Sequence, residues 1–378
     1  MQYKRMPIEI ESPEQMGYDN IRYNLTESSM DDIAWDALNI SLKSLFISYG
    51  DHIGKPELRE SIISDLKYPT TAAEKNPIFD INDVLITQSA AAALFMIHTS
   101  LLEKDDHIIV VYPNYATNIE TPRAIGCAID FMELKMEQGF VLDIDTVEAM
   151  IQPNTRLISL TTPHNPTGKM LTEPILRGLI DIAEKHDIYL LVDETYRELA
   201  FFAPPPIAAT LSSRVISVTS MSKAYGLPGI RIGWILCQNP ALMEMFLAAK
   251  EQIFITNSIV DEEIAFQFLK NKAHFFPAIQ SKAKVHLEIL KNWLSQQKYL
   301  DYVLPEGGVV CFPRMKEIVD VEAFYTILNN KYETYVGPGH WFEMDKRYFR
   351  IGFGWPTTED LTIGLSNISK ALKEAVMV

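Results

Sequence analysis

The sequence predicts an α/β protein: a three-layer α-β-α domain with a mostly parallel sheet, joined to a smaller α+β domain. Between Val84 and Leu236, short apolar segments alternate with longer amphipathic ones, at the spacing of strands connected by helices. Beyond Asn239 the pattern becomes mainly helical. With 378 residues, the chain is long enough to bury a core in both units.

In chain order, residues 1–50 carry little regular pattern, and one short helix is expected within residues 30–45. Pro56 follows a turn and is suited to the first position of a helix that continues through about Lys67. The strands expected next cover residues 84–87, 107–111, 128–134, 156–160, 188–192, 215–218 and 230–236. The helices expected between them cover residues 90–102, 118–124, 144–151 and 173–186. Strands connected in this way favour a parallel sheet covered on both faces.

The C-terminal part has a different pattern. A long amphipathic helix is expected at residues 278–297, short strands near 306–312 and 348–353, and a last helix from Thr358. We therefore predict a large domain at residues 40–240 and a small domain at 241–378. The N-terminal segment, residues 1–39, is expected to pack with the small domain.

Composition argues against several kinds of partner. The chain has 34 Lys and Arg against 49 Asp and Glu, so its formal charge is −15, and neither nucleic acid nor an anionic membrane is an expected partner. Cys127, Cys237 and Cys311 are far apart, which is typical of unpaired cysteines in a reducing compartment. No segment has the length of a membrane span and residues 1–11 lack a signal-peptide core, so we expect a cytoplasmic protein.

The stretch from Ser220 to Trp234 carries the strongest chemical signal. Lys223 follows an apolar segment, and Arg231 lies eight residues further on. A lysine among apolar residues and near another cation loses its proton readily and becomes a nucleophile. The hydroxyls of the two serines before it, Ser220 and Ser222, and the Arg231 guanidinium are groups that bind phosphate. The alternative interpretation is a strand, a glycine-rich turn and a second strand, with an exposed lysine.

Other polar residues also follow predicted strands, and parallel sheets bind their ligands at that edge. Ser89, Ala90 and Ala91 lie between a strand and a helix, where free N–H groups favour an anion. Asn165 lies in an Asn-Pro-Thr-Gly turn after another strand. Asp193 ends an apolar strand, where its carboxylate needs a partner such as a protonated ring nitrogen. Helix capping is the simpler alternative for Asp193.

Arg350 is a cation within an apolar strand near the C-terminus. It either forms a buried salt bridge or clamps a substrate carboxylate. The eight histidines show no metal-ligand spacing, no Ser-His-Asp arrangement can be assembled, and no Gly-x-Gly-x-x-Gly motif follows a strand. No metal site is predicted, and a nicotinamide cofactor is disfavoured.

Taken together and in order, these motifs resemble the class I/II aminotransferases of the fold-type I enzymes, which depend on pyridoxal 5'-phosphate. The resemblance extends from about Leu25 to the C-terminus. The run from Met221 to Gly229 also resembles a branch that includes capreomycidine-synthase-like proteins. The resemblance implies pyridoxal 5'-phosphate as cofactor and an amino acid and a 2-oxo acid as substrates.

The resemblance also implies roles for single residues at the phosphate and the reactive carbon. Lys223 matches the Schiff-base lysine, and Ser220 and Arg231 match ligands of the cofactor phosphate. A further set matches the turn whose N–H groups hold that phosphate, with serine where the family often has glycine: Ser89, Ala90 and Ala91.

For the ring and the substrate, Tyr115 matches the aromatic residue that stacks on the pyridine ring. Asp193 matches the partner of the ring nitrogen, and Asn165 and Tyr196 match the donors to the ring's 3-oxygen. Arg350 matches the arginine that binds the substrate α-carboxylate, with Asn165 also expected at the substrate.

Tyr49 matches a tyrosine that reaches the phosphate in the neighbouring subunit, which implies a homodimer with shared active sites. The substrate side chain is expected to contact residues within 24–29, 49–53 and 337–342. No second arginine can be assigned to a side-chain carboxylate, so the identity of the amino acid stays open.

The leading prediction is amino-group transfer between an α-amino acid and a 2-oxo acid through Lys223. The first alternative is elimination, replacement or cyclisation on the same scaffold, because the motifs serve the chemistry that these reactions share. Product analysis with and without an added oxo acid separates the two. The second alternative is a regulatory protein without turnover, which a biological effect retained after Lys223→Ala would support.

Overall fold

The computed structural model describes residues 1–66 and 79–376. Its strands are β1 (Tyr23–Leu25), β2 (Val84–Thr87), β3 (His107–Tyr112), β4 (Ala128–Glu133), β5 (Thr155–Thr161), β6 (Tyr189–Asp193), β7 (Val215–Ser220), β8 (Gly233–Leu236), β9 (Leu300–Asp301), β10 (Val310–Cys311), β11 (Arg314–Met315), β12 (Thr334–Pro338) and β13 (Phe349–Gly352).

Thirteen α-helices lie before, between and after these strands within the described residues. They are α1 (Pro7–Glu11), α2 (Pro13–Met16), α3 (Trp35–Leu38), α4 (Pro56–Asp65), α5 (Ser89–Leu101), α6 (Ala116–Ile125), α7 (Ile144–Ala149), α8 (Glu173–Lys185), α9 (Pro240–Ile253), α10 (Ile259–Lys270), α11 (Lys272–Leu294), α12 (Val321–Asn330) and α13 (Thr358–Glu374).

A seven-stranded sheet forms the centre of the larger unit, with the order β2-β8-β7-β6-β5-β3-β4. Strands β7, β6, β5, β3 and β4 are parallel to one another, and β8 is antiparallel to both β2 and β7. The predicted α/β class with a mostly parallel sheet is therefore confirmed. Because β8 reverses direction, β2 and β7 point the same way, and their carboxyl ends lie at one edge.

Both faces of this sheet are buried, as the apolar strands require. In β3, Ile108 and Val110 belong to a core formed with α5, α6 and α9. Ile109 and Val111, on the opposite face, belong to a second core that contains Leu176 of α8. The period of two along the strand thus divides its side chains between two helical layers.

A four-stranded sheet, in the order β1-β12-β13-β10, forms the centre of the smaller unit. The N-terminal strand β1 pairs in parallel with β12, and β12 pairs antiparallel with β13, with Gly337 opposite Arg350. Helix α13 covers this sheet. The helix is capped by the Thr357 hydroxyl, which accepts a hydrogen bond from the Asp360 N–H at 3.0 Å. The sequence patterns predicted neither β1 nor β12. The domain bounds predicted above stay a prediction.

Two expectations about element bounds need comment. Helix α4 ends at Asp65, and its expected last residue, Lys67, lies outside the described residues. The strand expected at 230–236 is wrong in its first part, because residues Pro228–Ile230 form a 3-10 turn and the strand begins at Gly233. Pro228 fixes the start of that turn, and Arg231 leaves it with a φ of 46°.

Within residues 1–66 and 79–376, no helix is both long enough and apolar enough to cross a membrane.

Candidate active site

The carboxyl ends of the parallel strands meet at one cavity of about 380 Å³. Strand pairing brings Thr161, Asp193 and Val218 side by side at the ends of β5, β6 and β7. Most of the residues predicted from the sequence line this cavity: Ser89, Ala90, Ala91, Tyr115, Asn165, Asp193, Tyr196, Ser220, Lys223, Arg231 and Arg350. Tyr49 does not line it, and its side chain is 83% exposed.

Lys223 lies in the turn after β7 and is half-buried. Its carbonyl accepts a hydrogen bond from the Met30 N–H at 3.0 Å, which fixes the turn against the N-terminal segment. Gly226 makes this close contact feasible, because a Cβ there would lie 2.4 Å from the Asp31 carbonyl oxygen. Among the described residues, no hydrogen bond or ion pair engages the Lys223 ammonium, so this amine is available to a ligand.

Arg231 has its backbone in the left-handed region, with a φ of 46°. Its guanidinium donates to the Ser222 hydroxyl at 3.2 Å and to the Pro228 carbonyl at 2.7 Å. The Ser222 N–H in turn donates to the Ser220 hydroxyl at 3.4 Å. Ser222 was noted from the sequence as one of two hydroxyls suited to a phosphate, but the family resemblance assigned a role only to Ser220.

Ser89 begins α5 with a φ of 88°, a conformation that favours glycine. Gly233 packs directly against this turn, because a Cβ at Gly233 would lie 2.6 Å from the Ser89 carbonyl carbon and 2.7 Å from the Ala90 nitrogen. Serine therefore occupies a strained, tightly packed turn at the N-terminus of a 13-residue helix. The free N–H groups and the helix dipole at this position favour an anion.

Asp193 is buried at the end of β6 and accepts a hydrogen bond from the Thr195 N–H at 3.0 Å. Burial raises the pKa of its carboxyl group, and hydrogen bonds from Thr195 act in the opposite direction. No ion pair to Asp193 is present within the described parts of the chain. A buried carboxylate without a cation is costly, and a protonated ring nitrogen would supply the missing positive charge.

Arg350, on β13, is buried and binds two neighbours. Its guanidinium donates to the Asn165 side-chain oxygen at 3.0 Å and to the Thr26 carbonyl at 2.7 Å, and it lies 5.1 Å from the centre of the Phe342 ring. The buried Nε has no hydrogen-bond partner among the described residues. The buried salt bridge considered from the sequence is absent within that part of the chain, and a donor remains free for a ligand.

Two aromatic residues complete the predicted set. Tyr196 is buried beside these groups; burial raises the pKa of its hydroxyl to about 12, and the positive charge of Arg350 acts in the opposite direction. Tyr115 lies just before α6 and is held by Asn114, whose side chain accepts a hydrogen bond from the Tyr115 N–H at 2.7 Å. Asn114 also donates to the Val111 carbonyl at 2.8 Å, which ties Tyr115 to the end of β3.

Much of the remaining cavity wall comes from the N-terminal segment and from Trp341, which lies in the turn after β12. Of the segments expected at the substrate side chain, 24–29 and 337–342 contribute Thr26, Glu27, Ser28 and Trp341, and no residue of 49–53 lines the cavity. Helices α1 and α2 add residues that the sequence did not predict, among them Glu9 and Glu14. The indole N–H of Trp341 donates to Glu11 at 2.7 Å and fixes α1 in this position.

A seven-stranded, mostly parallel sheet that carries this cavity at its carboxyl edge is the architecture of the fold-type I pyridoxal-phosphate-dependent enzymes. The sequence pattern described as "Aminotransferase class I and II" matches residues 20–368. The chain therefore belongs to the class I and II aminotransferase family, as the resemblance implied.

Individual relatives are distant. Capreomycidine synthase from Streptomyces vinaceus is 28% identical over 291 residues, which are 76% of this chain and 74% of that protein. A probable aspartate/prephenate aminotransferase from Aquifex aeolicus is 25% identical over 373 residues, or 95% of this chain and 92% of that one. A PLP-dependent aminotransferase from Streptococcus suis shares the fold, with a TM-score of 0.90 over 100% of both chains at 24% identity.

Proposed function

We propose that the protein is an aminotransferase that moves an amino group between an α-amino acid and a 2-oxo acid, using pyridoxal 5'-phosphate held by Lys223. The observation that carries this proposal is the convergence of eleven predicted residues on one cavity, from segments that are distant in the chain. Each of the chemical groups that the reaction requires is among them.

The residues present fit the cofactor. Arg231, the Ser220 and Ser222 hydroxyls and the N-terminus of α5 suit a phosphate. The buried, uncompensated carboxylate of Asp193 suits the protonated pyridine nitrogen, and Tyr115 is the aromatic residue suited to stack on the ring. The Lys223 amine, which has no hydrogen-bond or ion-pair partner in residues 1–66 and 79–376, would hold the cofactor through its aldehyde carbon.

When bound, pyridoxal phosphate supplies an electron-accepting ring that stabilises negative charge at the substrate Cα. Asp193 keeps the proton on the ring nitrogen, which maintains that property. The Lys223 amine would act as the base that removes the proton from the substrate Cα and returns it at the end of each half-reaction. The products would be the 2-oxo acid formed from the donor and the amino acid formed from a second oxo acid.

The remaining residues orient the substrate and tune the ring. Arg350 binds the α-carboxylate through its guanidinium and so fixes which bond at Cα faces Lys223. Asn165 holds Arg350 and, together with Tyr196, donates to the ring's 3-oxygen. The N-terminal helices α1 and α2 cover the cavity and reduce the access of water to Cα.

A homodimer with shared active sites is part of the proposal. Phe46, Ile47 and Tyr49 form an apolar surface, with exposures of 85%, 81% and 83%, which a second copy would bury. Tyr49 would then reach the partner's phosphate site. Tyr49→Phe should weaken cofactor binding about tenfold, the loss expected for one hydrogen bond to a charged group. An unchanged dissociation constant for the cofactor would contradict this role.

A second candidate is cyclisation or elimination of an amino acid on the same residues, which the similarity to capreomycidine synthase favours. The experiment that decides is a panel of amino donors, assayed with 2-oxoglutarate, with pyruvate, and without an acceptor. The proposed aminotransferase forms one equivalent of oxo acid without an acceptor and turns over with one. Continuous turnover without an acceptor would contradict amino-group transfer and support the second candidate.

A further inference from the structure

Glu27 is a buried carboxylate in the cavity that the proposed reaction leaves without a task. It lies just after β1, is 8% exposed, and lines the same cavity as Lys223 and Arg350. Its one hydrogen-bond donor among the described residues is the Tyr18 hydroxyl, at 3.0 Å. Because this donor is neutral, the negative charge is solvated but not neutralised.

Glu27 forms no ion pair within residues 1–66 and 79–376. Burial raises the pKa of its carboxyl group, and the positive charge of Lys223 acts against that rise. A second carboxylate, Glu14 of α2, also lines the cavity and adds to the rise. Burying a carboxylate without a cation is costly, so this position indicates a positively charged group that the protein itself does not supply.

The backbone holds Glu27 firmly in this position. A Cβ on Gly352 would lie 1.6 Å from the Glu27 carbonyl oxygen, so β13 and the Glu27 backbone are in direct contact. The preceding residue, Thr26, accepts a hydrogen bond from Arg350 through its carbonyl at 2.7 Å. Glu27 therefore directly follows Thr26, whose carbonyl holds Arg350, the proposed ligand of the substrate α-carboxylate.

The charges of the cavity wall show what is missing. Its cations are Lys223, Arg231 and Arg350. In the proposed function Arg231 would bind the cofactor phosphate, Arg350 would bind the substrate α-carboxylate, and Lys223 would form the covalent bond to the cofactor. Asp193 receives the ring nitrogen, and the Glu9 carboxylate accepts a hydrogen bond from the Met6 N–H at 2.7 Å. Glu27, with Glu14 nearby, remains without a positive partner.

We propose that Glu27 binds the cationic side chain of the substrate, so that the amino acid used carries an ammonium or guanidinium group. This inference rests on the proposed function, because it names the substrate class of the same cavity. Selectivity arises because a neutral side chain would leave the Glu27 charge buried and unpaired.

The test measures binding without turnover. The full-length protein, freed of cofactor, is titrated by calorimetry with non-reactive phosphopyridoxyl conjugates of arginine, citrulline, lysine and norleucine. Citrulline has nearly the shape of arginine but no charge. The arginine or the lysine conjugate should bind at least about tenfold more tightly than its neutral counterpart, as a hydrogen bond between charged groups predicts. The larger ratio tells guanidinium from ammonium.

The Glu27→Gln variant keeps the shape and the acceptor for Tyr18 but removes the charge. It should reduce the cationic-to-neutral ratio to within about twofold, while the neutral conjugates bind within about threefold of their original affinity, which also shows that the variant is folded. The matched control is Glu14→Gln, which removes a charge from the same cavity and should retain most of the preference.

The outcomes separate the two proposals. Equal binding of cationic and neutral conjugates by the unsubstituted protein overturns the Glu27 inference and leaves the aminotransferase proposal intact. An equal loss for every conjugate in Glu27→Gln also overturns it, since Glu27 would then act on Lys223 or the cofactor. If Glu14→Gln abolishes the preference as fully as Glu27→Gln, the assigned contact is wrong. If no conjugate binds, the proposed function fails and the inference fails with it.

Discussion

The two halves of the cavity are built from different kinds of structure. The sheet half consists of residues at the carboxyl ends of strands of the large sheet, together with Arg231 in the turn before β8: Ser89 to Ala91, Asp193, Ser220, Ser222, Lys223 and Arg231. The N-terminal half consists of residues from α1, α2, the segment after β1, and the small sheet: Glu9, Glu14, Thr26 to Ser28, Trp341 and Arg350. The first half would serve the cofactor, and the second half the substrate.

The two halves of the cavity are assembled in different ways. Parallel strands bring the sheet half together by their pairing alone, so its residues need only follow the right strands. The N-terminal half depends on packing between segments that are far apart in the chain, such as Glu11 with Trp341. Its geometry therefore follows from long-range packing rather than from strand pairing.

The largest effect is expected in the sheet half. Lys223→Ala removes the proposed covalent site and the base, and should reduce turnover about a thousandfold or more. Steady-state rates with a cationic amino donor and an oxo acid measure this loss. Lys346→Ala is the control, because Lys346 is half exposed and pairs with Glu322 at 2.7 Å; its rate should stay within about twofold. A similar loss in both variants would contradict the role of Lys223.

The next-largest effect is expected in the N-terminal half, on the stability of the fold. Gly352→Ala places a Cβ 1.6 Å from the Glu27 carbonyl, so the unfolding free energy should fall by at least about 2 kcal/mol in urea titrations. Gly229→Ala is the matched control, because no atom lies within 4 Å of its added Cβ, and it should change stability by less than about 0.5 kcal/mol. Equal losses in both variants would contradict the packing account.

The site residues that could be predicted from the sequence belong mainly to the sheet half. Asp193, Asn165 and Lys223 were found from the sequence because each directly follows an apolar strand, a local signal that survives without any tertiary information. The strands themselves were expected nearly at their observed bounds, since their side chains are buried on both faces and therefore form continuous apolar segments.

Features that depend on long-range contacts were missed. Strand β1 is only three residues long, and it is a strand because β12 pairs with it. The strand expected from Ile230 begins three residues later, at Gly233, because the apolar residues Ile230 and Ile232 hide the end of the 3-10 turn and the left-handed Arg231. Glu27 lies in the segment 24–29 that was expected at the substrate, but its burial could not be predicted, since it results from packing against Gly352 and a hydrogen bond from Tyr18.

A smaller effect should separate substrate binding from cofactor binding. Arg350→Lys loses the planar guanidinium that binds Asn165, Thr26 and the proposed carboxylate together. The KM for the amino acid should rise about tenfold or more, while the dissociation constant of the cofactor stays within about twofold. Kinetics and cofactor titration measure the two values. A parallel loss of both affinities would show that the halves are not independent.

The smallest effect concerns stability and pH. Because the pKa of Asp193 is raised above its ordinary value of 3.8, the folded state binds more protons than the unfolded state between those values. The stability contributed by this site therefore falls as pH rises through the raised pKa. Asp193→Asn removes the buried charge, so the cofactor-free variant should be about 1 kcal/mol more stable than the unsubstituted protein at about pH 8.

That advantage should shrink as the pH falls from alkaline values toward the ordinary pKa of 3.8, in a series of denaturation curves. The control is Asp36→Asn, at an exposed position, with an expected change below about 0.5 kcal/mol. A loss of stability in Asp193→Asn at high pH would mean that the carboxylate already has a cationic partner in the protein.

The central claim is that Lys223 holds the cofactor covalently. Incubation with pyridoxal phosphate, reduction with borohydride, proteolysis and mass spectrometry test this claim directly. We expect a stable phosphopyridoxyl group on the peptide that contains Lys223, and no such label in Lys223→Ala. A label on a different lysine, or a protein that takes up no label, would contradict it.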